Sequence, residues 1–233
     1  LAATIYGYQN VIVGNEYSSN FGNTKYKGET INHQWSKSFE FEKLFRDYIK
    51  NFISGNINYF SLLRPFYEIR ITKTFAKLGK KYFPYFSSCN TNFKIVKQKN
   101  RGLWCNNCPK CVFVFTLLSA FLSKKDLIKI FGKNLYQEKH LLAIFKDILG
   151  LGTMKPFDCV GTFKETQTSF YLASKKFKND FIVKKIGGMV KYYKEVLKTK
   201  KENNVPEQFK FLGIESVLIL GYGKEGKATK DYL

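Results

Sequence analysis

The stretch INHQWSKSFEFE, Ile31 to Glu42, joins a dense polar run to the first turns of a helix. Phe41, Leu44, Phe45, Tyr48 and Phe52 fall on one helical face, which predicts an amphipathic helix from about Ser38 to Ile53. Ser36 or Ser38 suits the N-cap, because a hydroxyl there accepts a hydrogen bond from a first-turn amide, and Glu40 and Glu42 complement the positive end of the helix dipole. Amides, Lys37 and two hydroxyls at a helix start also suit an anion such as phosphate. A capped helix behind a polar loop, holding no ligand, shows the same pattern.

Upstream of that run, Tyr8 to Val13 reads as a short strand of β-branched residues that stops at Gly14. Asn15 and Glu16 then sit at the carboxyl end of a strand, where ligands gather in open α/β sheets. Leu1-Ala2-Ala3 reads as the end of a helix, so the chain is expected to begin inside a domain whose first strands lie upstream.

Downstream, Gly55 and Asn56 break the helical pattern before SLLRP, Ser61 to Pro65. Arg64 precedes a proline and is held extended, a posture that suits a fixed guanidinium as well as an ordinary surface arginine. Glu68 to Lys80 reads as a helix with Ile69, Thr72, Phe75 and Ala76 inward and Gly79 at its end. Val112 to Leu122 is an apolar helix expected to bury against the sheet. One or two helices are expected in Asp126 to Gly150, then others at Lys164 to Lys175 and Met189 to Leu197, with no role for His140. KTKKENNVPEQ, Lys198 to Gln208, is a charged, proline-bearing linker that marks a domain boundary. Beyond it Val217 to Leu220 reads as a strand, and Gly221, Gly223 and Gly226 form a GxGxxG before a helix from Ala228. In that context the motif opens a Rossmann-like domain.

Four of the five cysteines follow the spacing C-x15-C-x2-C-x2-C: Cys89, Cys105, Cys108 and Cys111. Thiolates at such short, turn-compatible separations can close a tetrahedral zinc site. Four protein ligands leave no open coordination position, so the expected role is structural. The fifth thiol, Cys159, lies in KPFDCVGT, Lys155 to Thr162, beside Asp158. That loop reads equally as a plain helix connection.

The chain has 233 residues, 44% hydrophobic and 17% aromatic, enough for a packed core. Its formal net charge is +21, but apart from Arg46, Arg64, Arg70 and Arg101 the basic residues are all lysine. A base-reading surface draws more on arginine, so the charge reads as a solvated lysine coat that favours anionic substrates rather than nucleic acid. No signal peptide and no apolar run of about eighteen residues is read in these residues, so export and membrane insertion are not expected. Clustered cysteines fit a reducing compartment, and the cytoplasm is the expected location.

GNEYSSN (Gly14 to Asn20), NHQWSKSFEFE (Asn32 to Glu42), SLLRP, FSSCN (Phe86 to Asn90), WCNNCPKC (Trp104 to Cys111) and KPFDCVGT together resemble the UDP-N-acetyl-α-D-muramoyl-L-alanyl-L-glutamate epimerases of peptidoglycan synthesis. The resemblance runs from about residue 1 to 195. It implies a relation to ATP pyrophosphatases and inversion of the terminal L-glutamate of the UDP-muramoyl dipeptide, with ATP giving AMP and diphosphate. The family's pyrophosphate loop would lie upstream of Leu1. The tail VLILGYGKEGKATKDYL resembles the opening of the Mur ligase that adds glutamate to UDP-N-acetylmuramoyl-L-alanine. The expected architecture is therefore α/β: part of an adenine-nucleotide-hydrolase-like parallel sheet with a helical, zinc-bearing region of four cysteines over residues 1–197, a linker over 198–210, and the first strand-loop-helix of a Rossmann-like domain over 211–233.

Residue type and position within these motifs suggest site roles. Lys37 and Asn32 would contact phosphate or the substrate carboxylate, and Arg64 an anionic group of the substrate. Asn15, Gln34, Ser36, Ser38 and Lys155 would join them in binding substrate or nucleotide. Glu16 and Glu40 are candidates for Mg²⁺ coordination or proton transfer, and His33, Asp158 and Cys159 for the base. Gly221, Gly223 and Gly226 would hold UDP in the ligase part. Rival readings are another zinc-bearing pyrophosphatase of the deazaguanine nitrile synthase or tRNA-modifying type, whose C-x2-C-x2-C cluster is similar, and a non-catalytic zinc module that binds nucleic acid through lysines.

Overall fold

A computed structural model describes residues 1–93 and 102–210. The glycine loop Gly221, Gly223 and Gly226 and the Rossmann-like start lie outside the described residues. In chain order the elements are α1 (Ala2–Ile5), β1 (Asn10–Val13), β2 (Thr24–Tyr26), β3 (Glu29–Ile31), α2 (Phe39–Phe52), β4 (Asn58–Ser61), α3 (Glu68–Leu78), α4 (Pro109–Ser119), α5 (Lys124–Phe131), α6 (Leu142–Ile148), α7 (Phe163–Ser174) and α8 (Phe181–Ile186), joined by loops and short 3-10 turns. The class is α/β, rich in helix, with one small parallel sheet. Among the described residues no helix is long and apolar enough to cross a membrane.

The described chain divides into two units. The first comprises residues 1–22, 32–67 and 198–210. Its strands β1 and β4 pair in parallel, Asn10 opposite Asn58 through Val13 opposite Ser61. Parallel neighbours need a crossover, and α2 supplies it. Buried Phe60 and Leu62 gather Leu63, Val205 and Phe209, with the Phe60 and Phe209 rings 5.4 Å apart.

Ser38 is the N-cap of α2, its side chain accepting from the Phe41 amide at 3.1 Å. The aromatic face expected from the periodicity is present, with Phe41 and Phe45 stacked at 5.4 Å and Tyr48 and Phe52 5.3 Å apart. It is not the buried face. Leu44, Tyr48 and Phe52 are exposed, while the fully covered positions are Ile49 and the carboxylate Glu42. A buried acid overrides the pattern here, because its ion-pair partner Arg64 lies on that side.

The second unit comprises residues 23–31 and 68–197. Its strands β2 and β3 form an antiparallel hairpin in which Lys27 and Gly28 both take positive φ, the turn geometry that matches strand twist. Around α4 the unit is helical: α3, α5, α6 and α7 all pack on it. The expectation that this apolar helix lies on the sheet is corrected accordingly. A helix covered on all sides needs no polar face, and Val112, Phe113, Phe115, Leu117 and Leu118 are all buried. Rings fill the space beside it, Tyr136 standing 5.0 Å from Phe115, 5.3 Å from Phe170 and 5.1 Å from Phe177. The Tyr136 hydroxyl meets Ser119 Oγ at 2.7 Å, so its one polar atom is satisfied in the core.

The helix expected at Met189 to Leu197 is absent. Residues Gly187–Met189 and Lys194–Leu197 are separate 3-10 turns. The Lys191 amide donates to Gln167 Oε1 and the Tyr193 amide to Thr168 Oγ1, so α7 side chains take the donors a helix would have used.

Candidate functional site

In the first unit the polar run folds around one guanidinium. Arg64 is fully buried, and its Nε and Nη2 donate to Glu42 Oε2 at 3.2 and 3.0 Å. Its Nη1 donates to the Glu16 carbonyl and Ser19 Oγ, and its Nη2 also to the Lys37 carbonyl at 2.8 Å. The second Glu42 oxygen accepts from Asn204 at 3.0 Å. All five guanidinium N–H groups are thus engaged within the protein, which leaves Arg64 no N–H for the substrate anion expected of it.

The neighbours of Arg64 are similarly occupied. Asn32 Nδ2 donates to the Ser19 carbonyl and its Oδ1 accepts from the Gln34 amide at 2.9 Å. Gln34 is buried, with Lys37 Nζ 3.4 Å from its Oε1. The Asn15 carbonyl accepts from Ser61 Oγ at 2.7 Å. Two first-turn amides of α2 are also taken, Phe39 by Asn20 Oδ1 and Phe41 by Ser38 Oγ. Toward solvent the same loop presents His33, Ser36, Lys37 and Glu40, the last accepting from the Trp35 indole at 2.8 Å. Glu16 is half-buried just beyond β1. An anion arriving here would meet Lys37 and the Ser36 hydroxyl rather than bare helix amides.

In the second unit the four cysteines of the spacing motif converge, their sulfurs all within 4.8 Å of one another. Cys111 Sγ lies 3.7 Å from Cys105 Sγ and 3.5 Å from Cys108 Sγ. Four sulfurs roughly 2.3 Å from a common tetrahedral centre would stand about 3.8 Å apart, so the cluster can accept a metal with little movement. Backbone amides already point at the sulfurs, Cys105 N at Cys89 Sγ and Asn107 N at Cys105 Sγ, both 3.4 Å. Asn106 takes the left-handed conformation, φ 58°, that folds the chain between Cys105 and Cys108. The Cys111 thiol beside it pushes Cys108 down to about 4, while the same contact and burial push Cys111 up.

The Lys155 to Thr162 loop lies in this unit too. Lys155 is buried and lines a cleft of about 270 Å³ with Asn23, Thr24, Asp147, Thr153 and Phe163. Burial lowers its ammonium below the ordinary lysine value, opposed by the nearby carboxylates Glu165 and Glu68. Asn23 Nδ2 steadies the loop through the Pro156 carbonyl at 3.1 Å. Asp158 and Cys159 are half-buried, and Val160 N closes a tight turn onto the Asp158 carbonyl at 2.7 Å.

Several participants escaped the sequence reading. Glu42 counted only as a dipole partner, and Lys110, Glu68 and Glu165 were not singled out. Arg64 before a proline was the available signal for Glu42, since a pinned guanidinium needs an acid. Lys110 offered none beyond its place between two cysteines of the spacing motif.

Residues 1–62 match the family described as the MurL N-terminal domain, and residues 85–202 the one described as the MurL C-terminal domain. A UDP-N-acetyl-alpha-D-muramoyl-L-alanyl-L-glutamate epimerase of Xanthomonas oryzae pv. oryzae is 39% identical over 187 residues, 79% of this chain and 41% of the relative. One from Salinispora tropica is 38% identical over 162 residues, covering 70% of this chain and 35% of its own. One from a Micromonospora species is 35% identical over 166 residues, 71% and 36% respectively. The chain therefore spans about two fifths of the length of the curated relatives it matches. No solved structure matches it.

Proposed function

The chain belongs to the MurL epimerase family, and from that premise we propose that it is part of an enzyme inverting the terminal L-glutamate of UDP-N-acetylmuramoyl-L-alanyl-L-glutamate in peptidoglycan precursor synthesis. The observation that carries the reading is the match to both MurL domains, together with the activity for which the relatives are named. The α-hydrogen beside a carboxylate is too weakly acidic to remove, since the carbanion would add a second charge to the same group. Joining the carboxyl to AMP, with ATP as co-substrate, makes it a neutral acyl anhydride and lowers that barrier. A base then takes the α-proton, an acid returns one to the opposite face, and hydrolysis releases AMP and the D-glutamyl product.

In this reading Lys37 and Ser36 receive anionic groups at the first unit's solvent face, with Asn15, Asn32, Gln34, Ser38 and Arg64 holding the loop that presents them. Glu16 and Glu40 are the carboxylates for Mg²⁺, Glu40 having acceptor capacity beyond its bond to Trp35. Lys155 binds an anionic group of the substrate from its cleft, and His33, Asp158 and Cys159 are the candidate bases. Zinc is the metal that the four thiolates suit, and it would order the turns around them while doing no chemistry. The epimerase-like part takes in residues 1–197 and, rather than ending at a free linker, the segment 198–210 that packs on Phe60 through Val205 and Phe209, while 211–233 is the opening of a glutamate-adding Mur ligase. The setting is the cytoplasm, where thiols stay reduced.

The test is solvent deuterium incorporation at the glutamate α-carbon, by the protein as its host makes it, with the UDP-muramoyl dipeptide and ATP. Replacing the base among His33, Asp158 and Cys159 lowers incorporation by about 100-fold or more. Parental incorporation in all three single variants would remove these residues from the mechanism.

A further inference from the structure

Two side chains next to the cysteine cluster reach the same short turn. Asn90 follows Cys89, and its Nδ2 donates to Asp158 Oδ1. Lys110 precedes Cys111 in the first turn of α4, and its Nζ donates to the Cys159 carbonyl. Lys110 is buried, lies 3.5 Å from Glu68 Oε1 and stands 5.1 Å from the centroid of the Phe113 ring. The far end of the turn is pinned as well: a Cβ on Gly161 would collide with Glu165 Oε1 and lie 3.0 Å from the Phe113 ring. A buried ammonium needs acceptors, and this one finds a carboxylate on α3 and a carbonyl from the turn. Its place on α4 is set by the cysteine on either side of it, Cys108 and Cys111.

We propose that Asn90 and Lys110 are positioning residues that tie the Cys89, Cys105, Cys108 and Cys111 centre to the Asp158–Cys159 turn. The turn then keeps its geometry only while the centre is closed. The inference rests on the functional reading above for the importance of that turn, but the linkage itself is a statement about geometry and is read without catalysis. It gives a metal with no open coordination position a consequence for the site beyond stability.

The readout is the rate at which iodoacetamide modifies Cys159, followed by peptide mass, alongside metal content and thermal unfolding. Lys110→Met and Asn90→Ala should each speed modification about tenfold, as loss of one charge-assisted hydrogen bond eases opening of the turn. Metal content and the unfolding transition stay parental, and Lys110→Arg returns the rate toward the parent. A parental rate in Lys110→Met, or one in Lys110→Arg as fast as in Lys110→Met, overturns the role of Lys110. If Lys110→Met fails to fold, Asn90→Ala, which leaves α4 untouched, decides alone. Stripping the metal with a chelator should accelerate modification in the parent and add little in the Asn90→Ala/Lys110→Met double variant. Equal acceleration in both overturns the link. Accelerated modification combined with parental α-deuterium incorporation in Asp158→Asn and Cys159→Ala would keep the linkage and remove the turn from the chemistry.

Discussion

The first unit is organised around a buried ion pair and the second around a nest of rings. Arg64 and Glu42, both with fully covered side chains, fix directions: each bond runs from a named donor to a named acceptor. Phe115, Tyr136, Phe145, Phe170 and Phe177 fix volume, and dispersion does not distinguish one well-fitting ring from another. A polar hub specifies one arrangement and tolerates little change. A ring cluster tolerates exchange as long as the space stays filled.

That contrast can be broken at its strongest point by Glu42→Ala, which leaves a buried guanidinium without its counter-charge. The expected loss is about 3–5 kcal/mol, measured as a shift in the urea midpoint. Replacing the pair together, Arg64→Met with Glu42→Leu, tests what the hub does beyond charge. A simple buried pair would tolerate that exchange, but here the Glu16 and Lys37 carbonyls each lose one charge-assisted bond and are left with their bonds from Ser19, so the double variant should stay about 2 kcal/mol below the parent. Full recovery would mean that the two units are built alike. In the second unit Leu118→Met keeps shape and should cost less than about 1.5 kcal/mol. A larger cost would show the ring core to be as exacting as the hub. Smallest of these effects, Ser38→Ala removes the cap of α2 at a cost of about 1 kcal/mol, seen in faster amide exchange of its first turn.

Much of this was legible. The C-x2-C-x2-C spacing keeps three sulfurs within one short turn, while Cys89, sixteen residues before Cys105, is brought to them by the fold. The α2 cap was readable to within two residues, as Ser36 or Ser38, because both stand just before the apolar period, and the structure selects Ser38. The burial of Glu42 was not, since periodicity assigned the covered face to Phe41, Leu44 and Tyr48, and only a partner more than twenty residues along the chain, Arg64, reverses it. MVKYYKEVL looked helical on its own, but its amides are claimed by Gln167 and Thr168 on another helix, which local pattern cannot foresee. The polar motif divides in a way its pattern does not show: Asn32, Gln34, Ser38 and Glu42 are turned into the fold, while His33, Ser36, Lys37 and Glu40 face solvent.

One guanidinium grips the carbonyls of Glu16 and Lys37, residues on two different loops, with Ser19 between them. Neither loop can drift by itself without breaking a bond that the other shares. A molecule settling against Lys37 would therefore be felt at Glu16 as a common displacement, like two doors hung on one pin.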